Sequence, residues 1–356
     1  MSGASAAEVP QGPAAAASQP SAHRPRIGLV LSGGGARGLA HIGVLKVLER
    51  EHIPVDVIAG TSMGAIVGGL YASGLSAADI EREVADMDWD NAFASRVDRR
   101  QLSQRRKEQD VDVSPLLELG IGGDGIKAPI GALSSRTLEA QLRRLTLRAR
   151  QVRSFDELPT PFRAVATDME TGEAMILKDG DLATAMRSSM SVPGVFAPVE
   201  VDGRILGDGG LVNNLPVDVA RAMGADRLIV VNIGTPLSGR ESLNSLTGVT
   251  GQMINILTEQ NVRRSLASLH PGDVLIAPKL NDLTSADFDR ATDFMNLGEI
   301  QAEALVLRMQ DLKISDVDYA RWLASRSRPP LGATRLAFVE FQGTTRTKPE
   351  SRADIL

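Results

Sequence analysis

Twice between Arg26 and Ala72 a short apolar run ends in a glycine-lined turn and passes straight into a helical pattern. That repeat restricts the fold more than any other feature of the chain. The first unit is RIGLVLSGGG, Arg26 to Gly35, followed by ARGLAHIGVLKVLERE, in which Leu39, Ile42, Leu45 and Leu48 recur close to the helical period. The second is VDVIAG, whose turn at Thr61-Ser62-Met63-Gly64 leads into a helix that stops near Ser73-Gly74. Strand–helix–strand–helix order in so short a span calls for a parallel sheet with helices packed on it. The stretch from Val57 to Ala78 carries no charge, but its Gly, Ala, Ser and Thr give little transfer gain, so a strand, turn and helix are expected rather than a membrane span.

Further along, Ser76 to Asp79 has the form of a capping box opening a third helix. Leu138, Leu142 and Leu145 mark another helix, PFRAVATDM a strand, and DMETGEAMIL a hairpin. Asp202-Gly203 between apolar arms is a two-residue hairpin signal. DRLIVVNIG and DVLIAP read as later strands, and SRSRPP, Ser325 to Pro330, as a linker. Residues 96–133 are irregular. They hold Arg96, Arg99, Arg100, Arg105, Arg106 and Lys107 and then a Gly-rich apolar stretch at 111–133, open to reading as a lid that meets an anionic lipid surface or as a solvated loop.

Composition narrows the chemistry. The absence of cysteine removes thiol nucleophiles, disulfides and Cys-ligated zinc, and a net charge of −5 argues against nucleic acid. Three motifs remain. Gly60-Thr61-Ser62-Met63-Gly64 is G-x-S-x-G between a strand and a helix, where a sharp turn lifts the hydroxyl and the helix N-terminus favours an alkoxide. Gly33-x-Gly35-x-x-Gly38 also fits a dinucleotide fingerprint, but that site wants an acid at the far end of the second strand, and Asp56 stands at the near end. The loop's amides suit an oxyanion on the neighbouring serine better, with Arg37 supporting the loop or contacting an anion. Asp208-Gly209-Gly210 follows an apolar arm and can project a carboxylate into a cleft. Of His23, His41, His52 and His270, only the last keeps the order Ser…Asp…His with Ser62 and Asp208. The residues alone leave open a Ser–Asp dyad, a triad through His270, and a nucleotide- or lipid-binding module without chemistry.

Taken together and in this order, G-G-G-x-R-G (Gly33 to Gly38), G-x-S-x-G (Gly60 to Gly64) and D-G-G (Asp208 to Gly210) resemble the patatin-like phospholipases. SMSVPGVFAPV, with Ser189 and Pro193, adds to the likeness. The resemblance implies a three-layer α/β/α sandwich with a mainly parallel central sheet. It also implies hydrolysis of lipid esters, phospholipase A1-like, by a Ser62–Asp208 dyad with no metal and no cofactor. Oxyanion donors would come from Gly33, Gly34, Gly35 and Met63. The substrate would be a phospholipid or lysophospholipid at a membrane surface, and a homodimer is admitted by analogy only. Within the family the chain is most similar to secreted passenger domains of type Vd autotransporters, since FVEFQGTTRT looks like the start of a POTRA domain. That implies a truncated further domain at 331–356 and a secreted or cell-surface location, after the hydrolase at 26–312 and a helix and linker at 313–330; residues 1–25, rich in Ala, Pro and Ser, read by composition as a disordered leader.

Overall fold

The computed structural model describes residues 24–326 except 90–91, 93–119, 123–124, 128–134 and 235–236. Nearly all of the leader, the cations at 96–107, most of the 111–133 stretch and the 331–356 segment therefore lie outside the described residues.

The two strand–turn–helix units form as expected. Strand β1 (Ile27–Leu31) leads through the glycine loop and a short 3₁₀ helix (Gly35–Leu39) into helix α1 (Ala40–Arg50). Strand β2 (Val57–Thr61) leads into α2 (Met63–Ala72), so the uncharged stretch splits into strand and helix. Among the described residues no helix is long and apolar enough to cross a membrane. Helix α3 (Ala77–Ala85) opens with the capping box, each partner of Ser76 and Asp79 satisfying the other's backbone. Within the irregular 96–133 segment, β3 (Gly120–Gly122) and β4 (Gly125–Lys127) form a small antiparallel hairpin. Then follow α4 (Arg136–Leu145), β5 (Phe162–Asp168), β6 (Ala174–Leu177) and α5 (Leu182–Ser189). Next come β7 (Val199–Val201), β8 (Arg204–Asp208), α6 (Val217–Ala222) and β9 (Arg227–Val231). The chain continues through α7 (Leu246–Ala267), β10 (Val274–Ile276), α8 (Ala291–Glu303) and α9 (Asp316–Arg326). Ser325 and Arg326, read from sequence as linker, close α9. Arg326 is buried, with its guanidinium 4.0 Å from the Tyr71 ring and a bond to the Tyr71 carbonyl.

Strand pairing runs β10–β9–β1–β2–β5–β8–β7, with β6 also on β5. The pairs from β10 to β5 are parallel, while β6, β7 and β8 pair antiparallel. Side chains alternate as a sheet covered on both faces demands. Ile27, Leu29, Leu31, Ile58, Ile229 and Val231 enter one core with residues of α1, α2 and α8. Val30, Val57, Ala59, Leu228 and Val230 enter a second core with Val217 and Val219 of α6 and Val262 of α7. Two cores on opposite faces make the three-layer α/β/α sandwich.

The registers on β5 matter most for function. Strand β2 pairs with it up to Thr61, opposite Val165, while β6 occupies residues 164–167 of β5. A strand has two edges, so β8, which pairs with 166–168, must lie on the same edge as β2. Running antiparallel, it ends at Asp208 opposite Ala166. The carboxyl ends of β2 and β8 thus meet head to head along β5, and both chains must turn away there.

Candidate active site

Ser62 occupies the first of these turns. Its backbone, at φ 54° and ψ −124°, lies in a region that costs a non-glycine residue about 1–3 kcal/mol. Several contacts hold it there. Its carbonyl accepts from the amides of Ala65 and Ile66 at 2.9 and 3.1 Å, starting α2. Its amide donates to Ser189 Oγ at 2.8 Å, and that hydroxyl donates onward to the Val165 carbonyl at 2.5 Å. A methyl group on Gly64 would lie 2.3 Å from the Leu31 carbonyl oxygen, so only glycine lets α2 sit this close to the end of β1. A methyl on Gly60 would in turn strike the Gly64 carbonyl at 2.4 Å.

Asp208 occupies the second turn. Ser62 Oγ donates to its Oδ2 at 2.6 Å, and the Gly210 amide donates to its Oδ1 at 2.7 Å. Thr167 Oγ1 fixes the Asp208 carbonyl at 2.7 Å. Gly209 packs against the Val165 carbonyl, where a methyl would come within 2.1 Å. Both side chains of the pair are buried, at 6% exposure each. Burial pushes the Asp208 carboxyl up to about 6, against the opposing pull of its bonds from Ser62 and Gly210. It is therefore ionised at neutral pH yet far more basic than an ordinary aspartate.

The glycine loop arrives from β1. A methyl on Gly33 would stand 2.8 Å from Ser62 Cβ, which places this backbone directly against the serine. One expectation needs correcting. The Gly33 amide is already taken by Asn214, donating to its carbonyl at 3.3 Å and to its Oδ1 at 3.2 Å. Asn214 follows the D-G-G turn, and this bond clamps that turn to the glycine loop. Among the described residues the amides of Gly34, Gly35 and Met63 have no partner, and all three residues line the same cavity as Ser62. Arg37 bonds the carbonyls of Ile233 and Leu283 at 3.2 and 2.7 Å and does not line the cavity, so it supports the loop rather than reaching an anion there. Burial lowers its pKa, although a guanidinium stays charged. Gly38 makes room for Met63, whose Cγ a methyl would meet at 2.3 Å.

The histidines lie elsewhere. His41 is fully buried, bonded through Nε2 to the Ser32 carbonyl at 2.8 Å, and desolvation drops its pKa to about 4. His52 stacks on Tyr319. His270, which the alternative triad would require, sits in the turn before β10 with its amide on Asp273, and it neither lines the cavity nor bonds Ser62 or Asp208. His23 lies outside the described residues. Asp56 bonds Arg24 and the Ile27 amide at the opposite end of β2, so the dinucleotide reading lacks its acid.

Two asparagines outside every motif complete the frame. Asn261 on α7 accepts from the Asn214 amide at 2.8 Å and donates to the Gly210 carbonyl at 2.9 Å. Its only sequence signal is an amide among polar helix residues, and Asn214 looks like any turn asparagine. Above the pair lies a cavity of about 650 Å³ walled by Met63, Met190, Val195, Phe196, Leu211, Ile254 and Phe288, with Asn214, Thr250, Asn255, Thr258 and Ser285 among its polar members. Such a space admits a long apolar group with an ester at its floor.

A family model described as patatin-like phospholipase matches residues 29–221. Patatin-like phospholipase domain-containing protein 6 of Homo sapiens is 34% identical over 211 residues, covering 59% of this chain and 13% of that protein. An uncharacterized NTE family protein of Mycobacterium bovis is 32% identical over 231 residues, covering 65% of this chain and 55% of the relative. The chain thus spans about an eighth of the human relative's length and just over half of the mycobacterial one. Among solved structures, VipD from Legionella pneumophila superposes with a TM-score of 0.46 at 16% identity, over 79% of this chain and 67% of that one.

Proposed function

The chain belongs to the patatin-like phospholipase family, which points to lipid hydrolase activity, and from that premise we propose a phospholipid acyl hydrolase working through an acyl-enzyme on Ser62. The observation that carries the reading is the 2.6 Å bond from Ser62 Oγ to Asp208 Oδ2 at the floor of the mostly apolar cavity. As Oγ attacks the ester carbonyl carbon, its proton passes to Oδ2. The carbonyl oxygen gains the negative charge, and the free amides of Gly34, Gly35 and Met63 are the donors available to it, each worth about 3 kcal/mol in such a role. Collapse breaks the ester C–O bond, and the leaving alcohol takes the proton from Asp208. Water then repeats the sequence on the acyl-enzyme, with Asp208 accepting its proton and returning it to Ser62.

A carboxylate near 6 is a stronger base than a solvated aspartate, which supports a dyad without histidine. Phospholipase A1 regiochemistry and a secreted or cell-surface setting belong to the same proposal. The latter rests on the resemblance of residues 331–356 alone. The test is release of fatty acid from phospholipid by wild type, Ser62→Ala and Asp208→Asn, with positional analysis of the acyl chains. Retention of most of the activity in either variant rejects the dyad, and release mainly from the middle glycerol position rejects the A1 assignment.

A further inference from the structure

Helix α7 turns a mixed, largely polar side to the cavity and an apolar side to solvent. Thr250, Ile254, Asn255 and Thr258 line the cavity above Ser62. On the far side of the same turns, Val249, Met253 and Leu257 recur every fourth residue and stand in solvent, 42%, 60% and 45% exposed, with Ile256 beside them. Leu243, in the 3₁₀ segment Arg240–Asn244 that precedes the helix, is exposed as well. From Ser242 to Thr258 the sequence SLNSLTGVTGQMINILT contains no charged residue. The character changes at Glu259, which pairs with Arg263, while Asn261 and Val262 seat the second half of the helix in the body of the fold.

An amphipathic helix in a soluble protein normally turns one apolar stripe inward and a charged face outward. Here the outward face over the cavity is apolar and uncharged, the composition that marks a contact surface. Its position decides the partner. Thr250 lies both at the exposed surface and on the cavity wall, so the stripe adjoins the rim of the cavity. A lipid layer can cover the stripe and supply the substrate at once. The lack of charge fits apolar insertion rather than attraction to anionic head groups.

We propose that the exposed stripe of α7 inserts into the surface of a zwitterionic phospholipid layer and holds the cavity rim against it. This rests on the reading of the protein as a lipid acyl hydrolase, and the experiment separates the two. Partition onto phosphatidylcholine vesicles is measured in the Ser62→Ala background, so that turnover plays no part, with and without Met253→Glu plus Leu257→Glu. Loss of the two inserting apolar groups should lower partition about tenfold or more, with little effect of raised salt on the parent. In the Ser62 enzyme the same pair should leave hydrolysis of a short soluble ester unchanged while vesicle hydrolysis falls in step with partition. If the glutamate pair unfolds the protein, Met253→Trp plus Leu257→Trp serves instead and should raise partition.

Partition unaltered by the substitutions, or abolished by salt, overturns the inference. So does a dimer in sedimentation velocity that the glutamate pair dissociates, since a second copy would then cover the stripe. Normal partition behaviour with no hydrolysis of any ester would sink the hydrolase reading and leave this one standing.

Discussion

Replacing Asp208 by asparagine should disable the protein and at the same time stabilise it. The carboxyl's ordinary pKa is 3.8, and in the fold burial raises it to about 6. A raised folded pKa means that the folded state holds the proton more tightly than the unfolded chain does. Its contribution favours the fold below about pH 4 and is lost as pH rises through 6. Above that, the ionised carboxylate costs the fold about 3 kcal/mol. Asparagine has nearly the same shape and no charge. Its carbonyl can keep the bond from the Gly210 amide, and its NH₂ group can face Ser62 Oγ. Urea unfolding of both proteins at pH 8 should therefore show Asp208→Asn more stable by about 3 kcal/mol, shrinking below about 1 kcal/mol at pH 4. Catalysis should fall by roughly 10²–10⁴ in kcat, the range for loss of a general base. A variant no more stable than wild type at pH 8, or one whose advantage is the same at both pH values, refutes the claim that this carboxylate is held ionised against a desolvation penalty.

Three further outcomes follow from the same geometry. Hydrolysis of a soluble ester should rise about tenfold per pH unit up to about 6 and level off above it, because Asp208 must be ionised to accept the Ser62 proton; a midpoint that His270→Ala displaces would point to another base. Ser189→Ala removes the acceptor of the Ser62 amide and should cost about 1–3 kcal/mol of stability, lowering kcat with KM little changed; steady-state kinetics beside urea unfolding checks both. Gly64→Ala drives a methyl into the carbonyls of Leu31 and Ser32 and should destabilise by about 3 kcal/mol, read as a drop in melting temperature.

Much of this fold can be read in the sequence because its signals are local. The apolar runs before Gly33 and Gly60, the Ser76–Asp79 box and the Asp202-Gly203 turn each specify their own few residues, and each appears where expected. Ser62 and Asp208 are legible as residue types in motifs. Their meeting is not, since it depends on β2 and β8 sharing one edge of β5, a register set by long-range pairing. The engagement of the Gly33 amide is hidden for the same reason: its partner Asn214 stands 181 positions away. Asn261 was invisible because its role comes from where α7 crosses the D-G-G turn. His270 shows the reverse case, a motif order that the fold leaves without a site.

The most direct test of the central claim is covalent labelling with a fluorophosphonate, mapped by peptide mass spectrometry. An activated serine paired with Asp208 predicts a single adduct, on Ser62, lost in Asp208→Asn and formed at the wild-type rate in His270→Ala. No adduct on Ser62, or one whose formation depends on His270 and not on Asp208, would contradict the account.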